Sequence, residues 1–175
     1  QYGGVLNLVN SRSPSVIGYP PKVRGYSIKF VYCCLEQLCT TDTEGRFSPT
    51  KLATAYEMGK DGKSLTFTLR KGVKFHDGTD FNAKAAKWNL EKVKAANKPG
   101  TGLWTSIDII DDYTIRVGIK KYQNNWPSLF GTASKMISPT SVEKNGEEWA
   151  YNHPVGTGPF KFKGYEREVF LEYER

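Results

Sequence analysis

A chain of 175 residues, 38% hydrophobic and 13% aromatic, can bury a substantial core in one domain or one and a half, which excludes a disordered or low-complexity protein. Its 25 Lys and Arg outnumber 18 Asp and Glu for a formal charge of +7. Acids are interspersed among the cations and no Arg-rich run occurs, so a basic solvated surface accounts for the charge and nucleic-acid binding is not expected.

In chain order, Gly4-Val5-Leu6-Asn7-Leu8-Val9 alternates as a half-buried strand does. Residues 11–25 are rich in Ser, Pro and Gly and read as loop. From 27 to 40, Ile28, Val31, Leu35 and Leu38 recur at three- and four-residue spacing, which predicts a buried helix. Asp42-Thr43-Glu44-Gly45 is a turn. A strand near 55–58 meets a second one, Leu65 to Leu69, through the hairpin turn Lys60-Asp61-Gly62. In the second strand Leu65, Phe67 and Leu69 share one face.

Asn82 is an N-cap for a helix over 83–96, with Ala86, Leu90 and Val93 as its buried stripe and Pro99 forbidding continuation. Residues 107–119 form a second hairpin around Asp111-Asp112. A short apolar helix follows Asn125, and another runs from Pro139 to the glycine stop at 146. Residues 160–162 and 169–173 flank Gly164 as a last hairpin. Hairpins interleaved with helices predict an α/β or α+β arrangement on a mixed sheet. No stretch of 18 apolar residues suits a membrane span, and a signal peptide is expected to be absent or already removed.

The residues that invite chemistry are few. For Cys33, Cys34 and Cys39, buried free thiols are the favoured reading; a 34–39 or 33–39 disulfide and a metal site remain alternatives. His76-Asp77 has the types of a general base pair, but neighbours on a strand end point apart and no nucleophile accompanies them, so Asp77-Gly78 is read as a turn. With His76 and His153 far apart, no metal is expected. Gly156-Thr157-Gly158 lacks the Lys of a phosphate loop and is followed by Pro159, so its glycines are read as a sharp chain crossing. Tyr32, Trp88, Trp104, Trp126 and Trp149 offer flat surfaces; Trp104, in a glycine-rich loop, is the tryptophan best placed to face a ligand.

Two blocks carry a more specific signal. Residues 65–90, a strand, the His76-Asp77-Gly78 turn and the capped helix, precede His153-Pro154-Val155-Gly156-Thr157-Gly158-Pro159-Phe160. In that order and separation they resemble the extracellular solute-binding proteins of peptide and nickel ABC importers, family 5. Gly3-Gly4-Val5-Leu6 is similar to that family's first strand. Leu35-Glu36-Gln37-Leu38, Asp42-Thr43-Glu44-Gly45, Ser48-Pro49, Asp111-Asp112-Tyr113 and Ile137-Ser138-Pro139 look like its further landmarks.

The resemblance implies a fragment of the type II periplasmic-binding-protein fold. Residues 1–44 would begin domain I, 45–153 form domain II, and 154–175 return into domain I, within a chain that continues beyond Arg175. It implies a non-enzymatic receptor, without cofactor or metal, that captures a peptide or similar small solute in an interlobe cleft and delivers it to a membrane permease. The expected location is periplasmic or extracellular, with membrane association only through the permease or an N-terminal lipid anchor outside these residues. Glu36, Gln37 and Leu38 fall at the cleft edge that contacts an extended ligand, with Gln37 in place of the usual glycine. Trp104 and Lys135 lie near positions where nickel-type members turn an aromatic and a basic residue to the ligand. The alternative is a basic interaction domain for nucleic acid or an acidic partner.

Overall fold

Residues 3–175 are described by a computed structural model, built around a four-stranded antiparallel sheet. Two short strands, β1 (Thr40–Thr41) and β2 (Phe47–Ser48), pair first across the turn at Asp42, whose carboxylate accepts from the backbone of Glu44 and Arg46. The main sheet then uses β3 (Ala53–Met58), β4 (Ser64–Leu69), β5 (Trp104–Asp111) and β6 (Thr114–Ile119), in the order β3-β4-β6-β5. Gly62, at φ +68°, closes the first hairpin in a conformation other L residues adopt only at a cost. Leu65, Phe67 and Leu69 point inward as their period of two requires.

On this sheet lies the central helix. After the one-turn α1 (Ile28–Val31), α2 (Ala83–Ala95) starts where the Asn82 side chain accepts from Ala85 N at 3.1 Å. It buries Ala86, Leu90 and Val93, together with Asn89. The Asn89 amide donates to Ile137 O at 2.8 Å and accepts from Ile137 N at 3.0 Å, fastening a later segment to the helix. Asn82→Ala is expected to cost about 1 kcal/mol, read as a lower urea midpoint with an unchanged slope; an unchanged midpoint would mean the cap contributes nothing.

Three short helices follow: α3 (Trp126–Ala133), α4 (Pro139–Asn145) and α5 (Glu147–Ala150). The last hairpin is β7 (Lys161–Glu166) with β8 (Phe170–Glu174). Its turn is at Arg167-Glu168, while Gly164 sits inside β7 at a register shift. The architecture is α+β, and the expected mixed sheet resolves into three sheets, each antiparallel.

Two hydrophobic clusters organise the interior. The larger lies between the main sheet, α2 and α3, where Trp126 meets Tyr56 at 4.6 Å and Phe67 at 5.8 Å. The smaller gathers Ile17, Tyr19, Val31, Leu35, Ile137, Val142 and Ala150, with Phe162 and Tyr173 against it. Membership cuts across the division expected at residue 45: Leu38 and Cys39 belong to the first cluster, and Ile137, Val142 and Ala150 to the second.

Two expected elements are different. Residues 4–9 form no strand, and Val5, Leu6, Leu8 and Val9 are 74–100% exposed, because no other described strand pairs with them. The predicted helix over 27–40 is α1 extended only by the preceding turn Gly25–Ser27. Val31, Leu35 and Leu38 are fully buried as their spacing implies. Beyond residue 31, however, the carbonyls of Cys33, Cys34, Glu36, Gln37 and Leu38 accept from Phe160, Gly158, Met136, Leu52 and Ala53. Tertiary pairing replaces the helical ladder.

Candidate functional site

Where residues 33–38 leave helical geometry, they become the meeting line of three segments. On one side Met136 N donates to Glu36 O at 2.9 Å, Leu38 N donates to Ser134 O at 2.9 Å, and Gln37 pairs with Lys135 in an isolated antiparallel bridge. On the other, Leu52 N and Ala53 N donate to Gln37 O and Leu38 O.

The return segment crosses at close range. A Cβ on Gly156 would stand 1.9 Å from Cys34 O, and one on Gly158 2.5 Å from Cys33 O. Neither glycine has a positive φ, so both are there for space. Between them the Thr157 hydroxyl donates to Glu36 Oε2 at 3.0 Å.

His76 belongs to this crossing. Its backbone N–H donates to Gly156 O at 2.8 Å, its Nε2 lies 2.8 Å from Gly158 O, and its Nδ1 lies 3.8 Å from Cys34 Sγ. Asp77 is engaged elsewhere, by the hydroxyls of Thr79 and Ser138 and by Thr79 N. Burial pushes its carboxyl up, but these hydrogen bonds outweigh that and hold it below the usual range. His76 and Asp77 thus serve different neighbours and do not form an acid–base pair. His153 stacks on Trp149 at 4.3 Å and lies 2.7 Å, through Nδ1, from Trp149 O.

The three cysteines are free thiols. Burial pushes Cys34 and Cys39 up to about 12, and raises Cys33 as well, which makes all three poor nucleophiles. Among the described residues no group of three or more His, Cys, Asp or Glu is placed to hold a metal ion.

Of the residues singled out from sequence, Glu36, Gln37 and Lys135 are brought together. Glu36 and Gln37 are half-buried, and Tyr32 beside them is 47% exposed. The Lys135 ammonium lies 4.6 Å from the centre of the Tyr32 ring. Leu38 and Trp104 are not at this surface. Leu38 is fully buried in the larger cluster, with both backbone polar groups already bonded. Trp104 opens β5 and is a core residue, 5% exposed with its ring 4.6 Å from Phe130. The glycine-rich run before it is a turn of 3-10 helix leading directly into the sheet.

A cavity of about 200 Å³ is lined by Lys135, Lys98 and Arg24 and by the apolar Pro20, Val23 and Ile28. Burial, then the nearby charge of Lys98, pushes the Lys135 ammonium down to about 8; burial and then Arg24 lower Lys98 in turn. Arg24 and Lys98 at the cavity, and Thr157 beside Glu36, were not legible as site residues, because they come from loops distant in sequence. Only the glycines flanking Thr157 hinted at a close approach.

The model of bacterial extracellular solute-binding proteins, family 5 middle, matches residues 49–175. Glutathione-binding protein GsiB of Shigella flexneri is 36% identical over 130 residues, covering 71% of this chain and 25% of that protein. An ABC transporter substrate-binding protein from Sinorhizobium meliloti superposes with a TM-score of 0.73 at 30% identity, covering 89% of this chain and 33% of that one. The dipeptide binding protein of Pseudoalteromonas sp. SM9913, in complex with Met-Leu, does so with a TM-score of 0.79 at 26% identity, covering 92% and 37%. The chain therefore spans about a quarter of the curated relatives it matches and about a third of the solved structures. These likenesses displace the alternative of a free-standing basic interaction domain. The chain belongs to the bacterial extracellular solute-binding proteins of family 5.

Proposed function

We propose that the chain forms one wall of a solute-binding cleft in a receptor of an ABC importer, taking a peptide or similar small solute and serving a membrane permease from the periplasmic or extracellular side. The observation that carries this reading is the braced surface at Tyr32, Glu36, Gln37 and Thr157. Tyr32 there is exposed and Glu36, Gln37 and Thr157 are half-buried, while the backbone beneath is hydrogen-bonded from both sides. Because the carbonyls of 36–38 are already taken, contact with a ligand is assigned to these side chains. Leu38 and Trp104 support the wall from within.

The domain division is part of the same proposal: residues 1–44 and 154–175 belong to one domain and 45–153 to a second, with 134–150 packed at the seam between them. The close crossing of 156–158 over 33–34 supports it. No catalytic step is required. A solute that contacts two walls stabilises the closed form by its differential affinity for it. The glutathione-binding name of the Shigella relative and the Met-Leu complex support a small peptide-like ligand.

One wall by itself buries too little of a ligand for tight binding. Calorimetric titration of the 175-residue chain with a pool of short peptides is expected to give no appreciable heat. A dissociation constant of about 1 μM or tighter would contradict the proposal.

A further inference from the structure

We propose that Cys34 and His76, at the crossing of the return segment, form a two-donor site for a soft monovalent cation of the copper(I) class. The site uses two side chains that the receptor reading leaves without a role, and it stands or falls independently of that reading.

His76 is held as a metal-ligating imidazole is held. Its Nε2 lies 2.8 Å from Gly158 O. A carbonyl only accepts, so Nε2 carries the hydrogen, and in the neutral ring Nδ1 carries a lone pair. Donation from the far nitrogen to a backbone carbonyl is what fixes the tautomer and orientation of histidines bound to metals. The lone pair is turned to the thiol, with Nδ1 3.8 Å from Cys34 Sγ. The S–H of Cys34 has a nearer acceptor in Pro154 O, at 3.3 Å, so the lone pair is left for a ligand. Both donors are anchored through the backbone. His76 N donates to Gly156 O at 2.8 Å, and Cys34 O accepts from Gly158 N at 2.9 Å.

The spacing suits a shared ion. With bonds of about 2.3 Å to sulfur and about 2.0 Å to nitrogen, one ion reaches both donors across 3.8 Å at a bond angle of about 120°. Softness and charge then select the cation. Thiolate and imidazole suit copper(I), a filled-shell ion that accepts low coordination numbers. Cys34 is fully buried. One monovalent ion on one thiolate is neutral there, whereas a divalent ion would leave a net charge in the interior. Binding is a displacement: the Cys34 S–H bond breaks, a metal–sulfur bond forms, and the proton leaves to solvent. The metal is neither oxidised nor reduced. His76, half-buried, is the side from which the ion enters.

Silver(I) is the probe, because it shares the charge and donor preference of copper(I) and needs no reductant. It is added as the nitrate, in chloride-free buffer, to the isotope-labelled 175-residue chain and followed by NMR. About one equivalent is expected to move the His76 Nδ1 and Cys34 Cβ signals together and saturably, with about one proton released per ion. Zinc(II) is expected to bind at least about a hundredfold more weakly. A Cys33→Ser, Cys39→Ala variant keeps a single thiol and should still take silver(I) one to one. On that background Cys34→Ser should weaken binding by about a hundredfold or more, and His76→Gln by about tenfold or more. The His76 signal of the unaltered protein decides the matter even where a variant fails to fold. Silver(I) that moves Cys33 or Cys39 and leaves His76 Nδ1 in place would overturn the site. Zinc(II) binding as tightly as silver(I) would overturn the monovalent assignment.

Discussion

Gly156→Ala is expected to destabilise the protein by about 3 kcal/mol or more. Its added Cβ would meet backbone, 1.9 Å from Cys34 O and 2.7 Å from Cys34 C, where no side chain can swing aside. To make room the return segment must lift from residues 33–34. That breaks the bonds from Gly158 N to Cys34 O and from Phe160 N to Cys33 O, and the contact of His76 with Gly158 O. The last hairpin goes with it, because Tyr173 O–H donates to Phe30 O from β8.

Chemical denaturation measures the effect, and Gly102→Ala supplies the control. Gly102 has open space around the position of a Cβ and no positive φ. There the ordinary gain of a few tenths of a kcal/mol from a stiffer unfolded chain is expected. Equal midpoints for the two variants would show that the crossing is not close.

Lys135→Met is expected to act in the opposite direction and stabilise the fold by about 2 kcal/mol at pH 7, raising the melting temperature by roughly 4–8 °C. Methionine keeps the unbranched apolar stem and removes the ammonium. Burial and the charge of Lys98 hold Lys135 at about 8, below the ordinary lysine value of 10.5. From about pH 8 to 10.5 the unfolded chain therefore binds a proton that the folded chain has released. Over that window stability rises with pH, and the penalty is complete below it. The advantage of the methionine variant should accordingly shrink as pH rises from 8 towards 10. A variant less stable than the parent at pH 7, or a difference independent of pH, would contradict the account.

What was legible in the sequence is what local chemistry decides. The period-two face of β4, the Asn82 cap, the stripe of α2, and the turns at Gly62 and Gly78 depend on neighbours within a few residues, and they appear where expected. Residues 27–40 show the limit. Apolar spacing reported burial correctly for Val31, Leu35 and Leu38, but it could not reveal that strangers 15 to 127 residues away in the chain would take the carbonyls that a helix needs.

Residues 4–9 fail for the converse reason, since an alternating pattern becomes a strand only when a partner edge is present. Trp104 was misread because a glycine-rich approach resembles a loop whether or not its end enters a sheet. The cavity was invisible altogether. Arg24, Lys98 and Lys135 share no motif and meet only after the fold has formed.

We propose that Tyr32, Glu36, Gln37 and Thr157 make the solute-facing wall. Amide shift mapping of the 175-residue chain with N-acetyl-trialanine amide, carried to roughly 10 mM to reach a weak one-sided contact, tests it most directly. Small, saturable shifts confined to those residues and their immediate neighbours are expected. Shifts on the exposed face of the main sheet, at Thr68 and Arg116, or none anywhere, would contradict it.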